Sequence, residues 1–142
     1  MQAQLKEVGI TAEIVSYEWG TYLEGTDNGK HQAALLGWTG DNGDPDNFLF
    51  VLLSTAAAEV PAGNIAFWKN KEFNDLIVAA KETFDRDRRT ELYEEAQEIF
   101  HEEAPWVPVA HSVVSEPMQK FVMDFKLSPV GKRVFYSVWL DK

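Results

Sequence analysis

Three carboxylates, three glycines and a tryptophan fall within the eleven residues Gly37-Trp38-Thr39-Gly40-Asp41-Asn42-Gly43-Asp44-Pro45-Asp46-Asn47. The chemistry open to such a loop is narrow. An acidic, glycine-rich turn beside an indole suits the grip of a cationic group. Two nearby acids, Asp41 and Asp44, could instead serve as an acid/base pair of the kind that cleaves glycosides. A calcium loop of the EF-hand type needs glycine at its sixth position and glutamate at its twelfth. Counted from Asp41, those positions hold Asp46 and Leu52, so that pattern fails.

The loop lies between two apolar runs, Ala33-Ala34-Leu35-Leu36 and Phe48-Leu49-Phe50-Val51-Leu52-Leu53. Loops at strand ends are where a rigid scaffold presents functional groups. In open α/β sheets ligands sit outside the carboxyl ends of the strands. The pattern around the loop predicts such a scaffold. Residues 2–8 read as a helix, with Gly9 placed to end it. Ile10, Ala12 and Ile14 alternate with polar neighbours, which predicts a strand over 10–17. A short helix over 18–27 ends at Asp27-Asn28-Gly29. The continuous apolar run over 31–37 predicts a strand buried on both faces, as in a parallel sheet. Helix–strand–helix–strand order is an α/β signature.

After the loop, a helix near 46–54 is expected, capped by Asp44 or Asp46 with Pro45 in its first turn. Residues 55–70 read as a long loop. An amphipathic helix over 71–84 places Phe73, Leu76, Ile77, Ala80 and Phe84 on one face. Another over 87–103 buries Leu92, Ala96, Ile99 and Phe100 and leaves a glutamate-rich solvated face. Ala104-Pro105 ends it. Short strands are expected over 106–111 and around Phe135, Tyr136, Val138 and Trp139.

Composition narrows the function. The 142 residues have the length of one ordinary domain, and a 45% hydrophobic content supports a packed core. A formal net charge of −10 argues against nucleic acid and against an anionic membrane surface. No apolar run reaches the ~20 residues of a membrane span, and residues 1–5 lack the basic start and apolar core of a signal peptide. The chain has no cysteine. His31, His101 and His111 are dispersed without metal-ligand spacing, and no GxSxG, HExxH or P-loop occurs. No cofactor and no metal is expected.

Two stretches carry a family resemblance: Tyr17-Glu18-Trp19-Gly20-Thr21-Tyr22-Leu23, then the loop from Gly37 through Phe48. Together they resemble the C-terminal part of the peptide/nickel cluster, family 5, of ABC-transporter solute-binding proteins. The similarity runs from Leu5-Lys6-Glu7-Val8-Gly9-Ile10 to Ser128-Pro129-Val130-Gly131-Lys132. The resemblance implies a C-terminal fragment of a longer, two-lobed protein with a type II periplasmic-binding-protein fold. Residues 1–110 would form part of the C-terminal ligand-binding lobe. Residues 111–142 would return the chain to the N-terminal lobe, with the crossing around Pro108 to Pro117.

The same resemblance implies function. The parent would be the periplasmic or extracytoplasmic component of an ABC importer, membrane-associated only through its permease subunits. It would capture dipeptides or short peptides and catalyse nothing. Some relatives carry a cysteine pair around 55–69, where this chain has Thr55 and Lys69. Family members hold the ligand's α-ammonium with an aspartate at the place of Asp41, and Thr39 and Gly40 would offer backbone groups to an extended peptide. Asp41 could equally cap the next helix or order the turn, and Trp38 could be a pocket wall or simply core. Another solute (an oligopeptide, haem, a nickel chelate or a sugar) is the nearest alternative, and an acidic-site hydrolase is the more distant one.

Overall fold

The computed structural model describes residues 1–142. In chain order the elements are helices α1 (Gln2–Glu7), α2 (Trp19–Asp27) and α3 (Asp46–Leu53), a 3₁₀ turn (Ala56–Ala58), helices α4 (Lys71–Glu82) and α5 (Arg86–Glu103), and strands β1 (Val122–Met123) and β2 (Trp139–Leu140). The strands pair antiparallel, Val122 opposite Leu140 and Met123 opposite Trp139.

The helices begin and end where local chemistry dictates. Glu18 accepts the N–H of Thr21 at 3.2 Å and starts α2. Asn70 accepts the N–H of Phe73 at 2.9 Å and starts α4. Asp85 accepts the N–H of Arg88 at 2.9 Å and starts α5. Each satisfies a donor that the first helical turn leaves unpaired. Gly9 has φ +85°, open to glycine without strain, where α1 stops. Ala104 takes the left-handed conformation, φ 44° and ψ 53°, one residue before Pro105 halts α5.

The core is built by α3, α4 and α5. Leu53, Phe73, Ile77, Ala80, Leu92, Tyr93 and Ala96 form one buried cluster, and Leu49, Phe50, Leu76, Ile99, Phe100 and Trp106 pack against it. Phe73 lies edge-on to Trp68 at 4.8 Å between centroids, and Phe100 edge-on to Trp106 at 5.8 Å. Burying each such ring contributes about 2–3 kcal/mol relative to leaving it in water. The loop before α4 is fastened by buried Asn64, whose amide donates to the Ser54 and Trp68 carbonyls.

Three expectations are corrected. Residues 10–17 and 31–37 do not form a ladder: apart from the N–H of Ile10 bonding back to Leu5, no backbone–backbone hydrogen bond is made by either segment. Nor is the second segment buried, since Leu35 is 76% exposed. Periodicity reports which backbone conformation the side chains favour, but a ladder needs a neighbouring strand, and none of these 142 residues runs alongside. Phe84 is fully exposed, because α4 ends at Glu82 and the helical phase that would turn residue 84 inward is lost. The short strand over 106–111 is absent as well.

Only 12 of 142 residues are buried, far fewer than a chain with 45% hydrophobic residues could enclose. The exposed apolar side chains gather on the unpaired segments: Ile10, Ile14 and Val15; Leu35 and Leu36; Val107, Val109, Val113 and Val114. No helix is long and apolar enough to cross a membrane.

Candidate functional site: the acidic loop

The loop joins an extended segment to the N-terminus of α3, and three anchors fix it. The first lies before it. Trp19 stacks on Tyr22 at 6.0 Å, and the Tyr22 hydroxyl donates to the Leu35 carbonyl at 3.0 Å. The Tyr17-Glu18-Trp19 stretch thus starts α2 and ties it to the segment that leads into the loop.

The second anchor is Asn47, in the first turn of α3. Its side-chain Oδ1 accepts the indole N–H of Trp38 at 3.2 Å and the backbone N–H of Asp41 at 2.9 Å. Gly40 passes so close that a Cβ there would lie 3.1 Å from the Phe48 ring and 3.4 Å from the same Asn47 oxygen. A side chain at position 40 would push the loop off this anchor.

The third is Asp44. Its Oδ1 accepts the N–H of Asp46 at 3.0 Å and a guanidinium N–H of Arg89 at 2.7 Å. Arg89 also donates to the Ala80 carbonyl at 3.0 Å and the Tyr93 hydroxyl at 3.2 Å, and its guanidinium lies 5.2 Å from the centroid of the Tyr93 ring. One residue of α5 therefore joins the loop to the end of α4.

Charge follows this geometry. The hydrogen bond from Arg89 lowers the Asp44 pKa to about 2. The same bond raises that of Arg89. Asp46 moves the opposite way: desolvation, then the neighbouring Asp44 carboxylate, disfavours its charged form. Burial likewise raises the Tyr93 pKa. An Asp44 held ionised by an arginine is a poor proton donor, so it does not supply the acid of an acid/base pair.

Trp38, Thr39, Gly40 and Asp41 are thus brought together on one exposed stretch of backbone, with only Gly40 partly covered. Asp41 contributes its N–H to the network, while its exposed carboxylate takes no part in it. The helix-capping job falls to Asp44. Trp38 is 44% exposed and lies outside the buried cluster of these residues. Gly131, at φ +70°, also comes near the loop: a Cβ there would lie 3.6 Å from the Thr39 methyl. No three His, Cys, Asp or Glu side chains converge anywhere in the chain.

Sequence reasoning missed Asn47 and Arg89. Arg89 did carry a signal. It precedes Leu92 by three residues and Tyr93 by four, so it shares their inward face. Its cluster with Arg86 and Arg88 concealed it. Asn47 carried none, since an asparagine in a first helical turn has many ordinary uses.

Known proteins resemble this chain in sequence and fold over nearly all of its length. Residues 1–59 match the family model described as bacterial extracellular solute-binding proteins, family 5 Middle. The chain is 46% identical over 141 residues to the dipeptide-binding protein of Escherichia coli (strain K12), covering 99% of this chain and 26% of that one. Among solved structures, it superposes on the ABC transporter-associated periplasmic binding protein DppA from Helicobacter pylori in complex with peptide STSA. There the TM-score is 0.91 and the identity 42%, covering 99% of this chain and 28% of that one. A dipeptide-binding protein from Pseudoalteromonas sp. SM9913 in complex with Met-Leu gives a TM-score of 0.85 at 33% identity, with 99% and 27% covered.

The fold is accordingly that of part of a periplasmic solute-binding protein, in the α/β class. The chain belongs to family 5 of the bacterial extracellular solute-binding proteins, and it spans about a quarter of the length of the relatives it matches.

Proposed function

We propose that this chain is a portion of the ligand-binding lobe of an ABC-importer binding protein that captures dipeptides or short peptides. The observation that carries this reading is the division of labour among the loop carboxylates. Asp44 is committed to Arg89 and the helix start, whereas Asp41 is held by its backbone with its carboxylate left exposed. Asp41 would pair with the ligand's α-ammonium. Thr39 and Gly40 would bond the peptide backbone, and Trp38 would wall the site. The names of the relatives, peptide binders among them, support the same reading.

The mechanism is hinge closure of two lobes over the ligand. Closure removes water, so a carboxylate–ammonium pair strengthens while an unpaired carboxylate becomes costly. Bridging waters would let varied side chains fit one site. In this reading residues 1–110 belong to the ligand lobe and residues 111–142 cross toward the other lobe. A crossing segment that runs beside the site is supported by Gly131, where a Cβ would lie 3.6 Å from the Thr39 methyl. The partner for the ligand's carboxylate lies outside these residues. The protein works outside the cytoplasm, delivers to permease subunits and performs no catalysis.

The test is calorimetric titration of the full-length parent with a dipeptide and with its N-acetylated form. Tight binding of the free dipeptide alone is expected. Equal binding of both would remove Asp41 from this role and point to another solute.

A further inference from the structure

We infer that Asn47 is a positioning residue of the peptide site: through one oxygen it holds the backbone that carries the Asp41 carboxylate and the tilt of the Trp38 indole together. The inference rests on the reading of Asp41 given above, and deepens it.

Trp38 Nε1 and the Asp41 backbone nitrogen are donors with no acceptor capacity. The atom receiving both, at 3.2 and 2.9 Å, must be the asparagine carbonyl oxygen, which fixes the orientation of the amide. An oxygen has two lone pairs, and both are used. The two donors lie three residues apart on the loop, and the acceptor is on the first turn of α3, a rigid element. With its N–H held at 2.9 Å, the peptide plane that leads into Asp41 is restrained, and only its φ and side-chain torsions remain to aim the carboxylate. The cation therefore meets a carboxylate whose backbone need not be ordered on binding, which is how preorganisation raises affinity. The tightness at Gly40 is the other half of the device, since a Cβ there would lie 3.1 Å from the Phe48 ring and 3.2 Å from the Asn42 carbonyl oxygen, so the loop could not keep its present path.

Asn47 touches no ligand in this scheme. It acts through Asp41 and Trp38, so its effect should follow the ligand's charge. The full-length parent is compared with its Asn47→Ser, Asn47→Asp and Asp41→Asn variants. Serine is a good helix-start residue but too short to reach either donor. Aspartate keeps an oxygen at the same place. Each protein is titrated with alanyl-alanine and N-acetyl-alanyl-alanine, and the indole ¹⁵N–¹H resonance of Trp38 is recorded without ligand.

We expect Asn47→Ser to shift the Trp38 resonance and weaken free dipeptide binding about tenfold, with little change for the acetylated peptide. Asn47→Asp should retain both the wild-type resonance and the preference for the free amine. If Asp41→Asn abolishes that preference while Asn47→Ser leaves it intact, positioning is overturned and the ammonium reading survives. If Asn47→Ser weakens both peptides equally, Asn47 is merely structural. If wild type shows no preference for the free amine, or Asp41→Asn leaves that preference unchanged, the ammonium reading itself fails, and with it this role for Asn47.

Discussion

The helical segment from Asp46 to Glu103 and the extended segments 10–17 and 31–37 share an apolar composition, yet they end in opposite environments. In the helical segment α3, α4 and α5 give one another their apolar faces, and Phe73, Ile77 and Ala80 are wholly enclosed. In the extended segments Ile10, Ile14, Leu35 and Leu36 stay in contact with solvent. A helix satisfies its own backbone hydrogen bonds and needs only a packing partner, which a helix hairpin supplies locally. A strand must borrow hydrogen bonds from a neighbour distant in sequence. The acidic loop stands at the boundary, leaving an unpaired segment at Gly37 and entering the helical core at Asp46.

The largest way to test this contrast is at its packed end. Phe73→Ala should destabilise the protein by about 3–5 kcal/mol through lost burial and the cavity left behind, read as a fall in the urea midpoint. Leu35→Ala, a comparable deletion on the unpaired segment, should change the stability of this 142-residue chain by less than about 0.5 kcal/mol. In the full-length parent the same substitution should cost clearly more. Equal effects of Leu35→Ala in both settings would break the comparison.

Next comes the tie between the regions. Arg89→Met keeps the packing of the side-chain stem but leaves Asp44 half-buried without its partner. We expect a loss of about 1–3 kcal/mol in denaturant unfolding. The acid dependence follows from the same pair. The Asp44 pKa is depressed from 3.8 to about 2 in the folded protein, so between those values the unfolded chain binds more protons than the native one. The stability it contributes is complete above pH 3.8 and is lost as the pH falls toward 2. Asp46, whose pKa is raised, acts in the opposite sense and regains stability on protonation. Unfolding curves between pH 5 and pH 2 should therefore show an acid loss that Arg89→Met reduces.

The smallest effect on stability is expected at the proposed site itself. Asp41→Asn should leave the unfolding midpoint within about 0.5 kcal/mol of wild type, because the carboxylate makes no contact within the loop. In the parent it should remove discrimination between free and acetylated dipeptide. The isolated 142-residue chain offers only one side of a cleft, so it should bind dipeptide weakly or not at all and self-associate through its exposed apolar segments. Micromolar dipeptide binding by this chain alone, read by calorimetry, would sink that expectation.

Much of the helical half was legible in the sequence. The spacing of Phe73, Ile77 and Ala80 and the stop at Ala104-Pro105 are local signals, and the structure places helix ends at or within a few residues of them. Phe84 was misread because its spacing fits the helix while Thr83 has already left it. The candidate site was legible in part. The loop declared itself by composition and by family resemblance, but its supports did not. Arg89 lies 45 residues from Asp44, and no local pattern connects a helix-start arginine to a distant aspartate.

By itself the sequence determined the helices, the family and the loop that bears Asp41, because each of these is written in spacing or residue type over a few neighbours. The tertiary structure alone decided which carboxylate is occupied and which is exposed, that Asn47 holds Trp38 and Asp41 through one oxygen, and that the apolar segments over 10–17 and 31–37 find no partner within the chain. Those outcomes depend on distances between residues far apart along the backbone, and a distance is set only when helices pack.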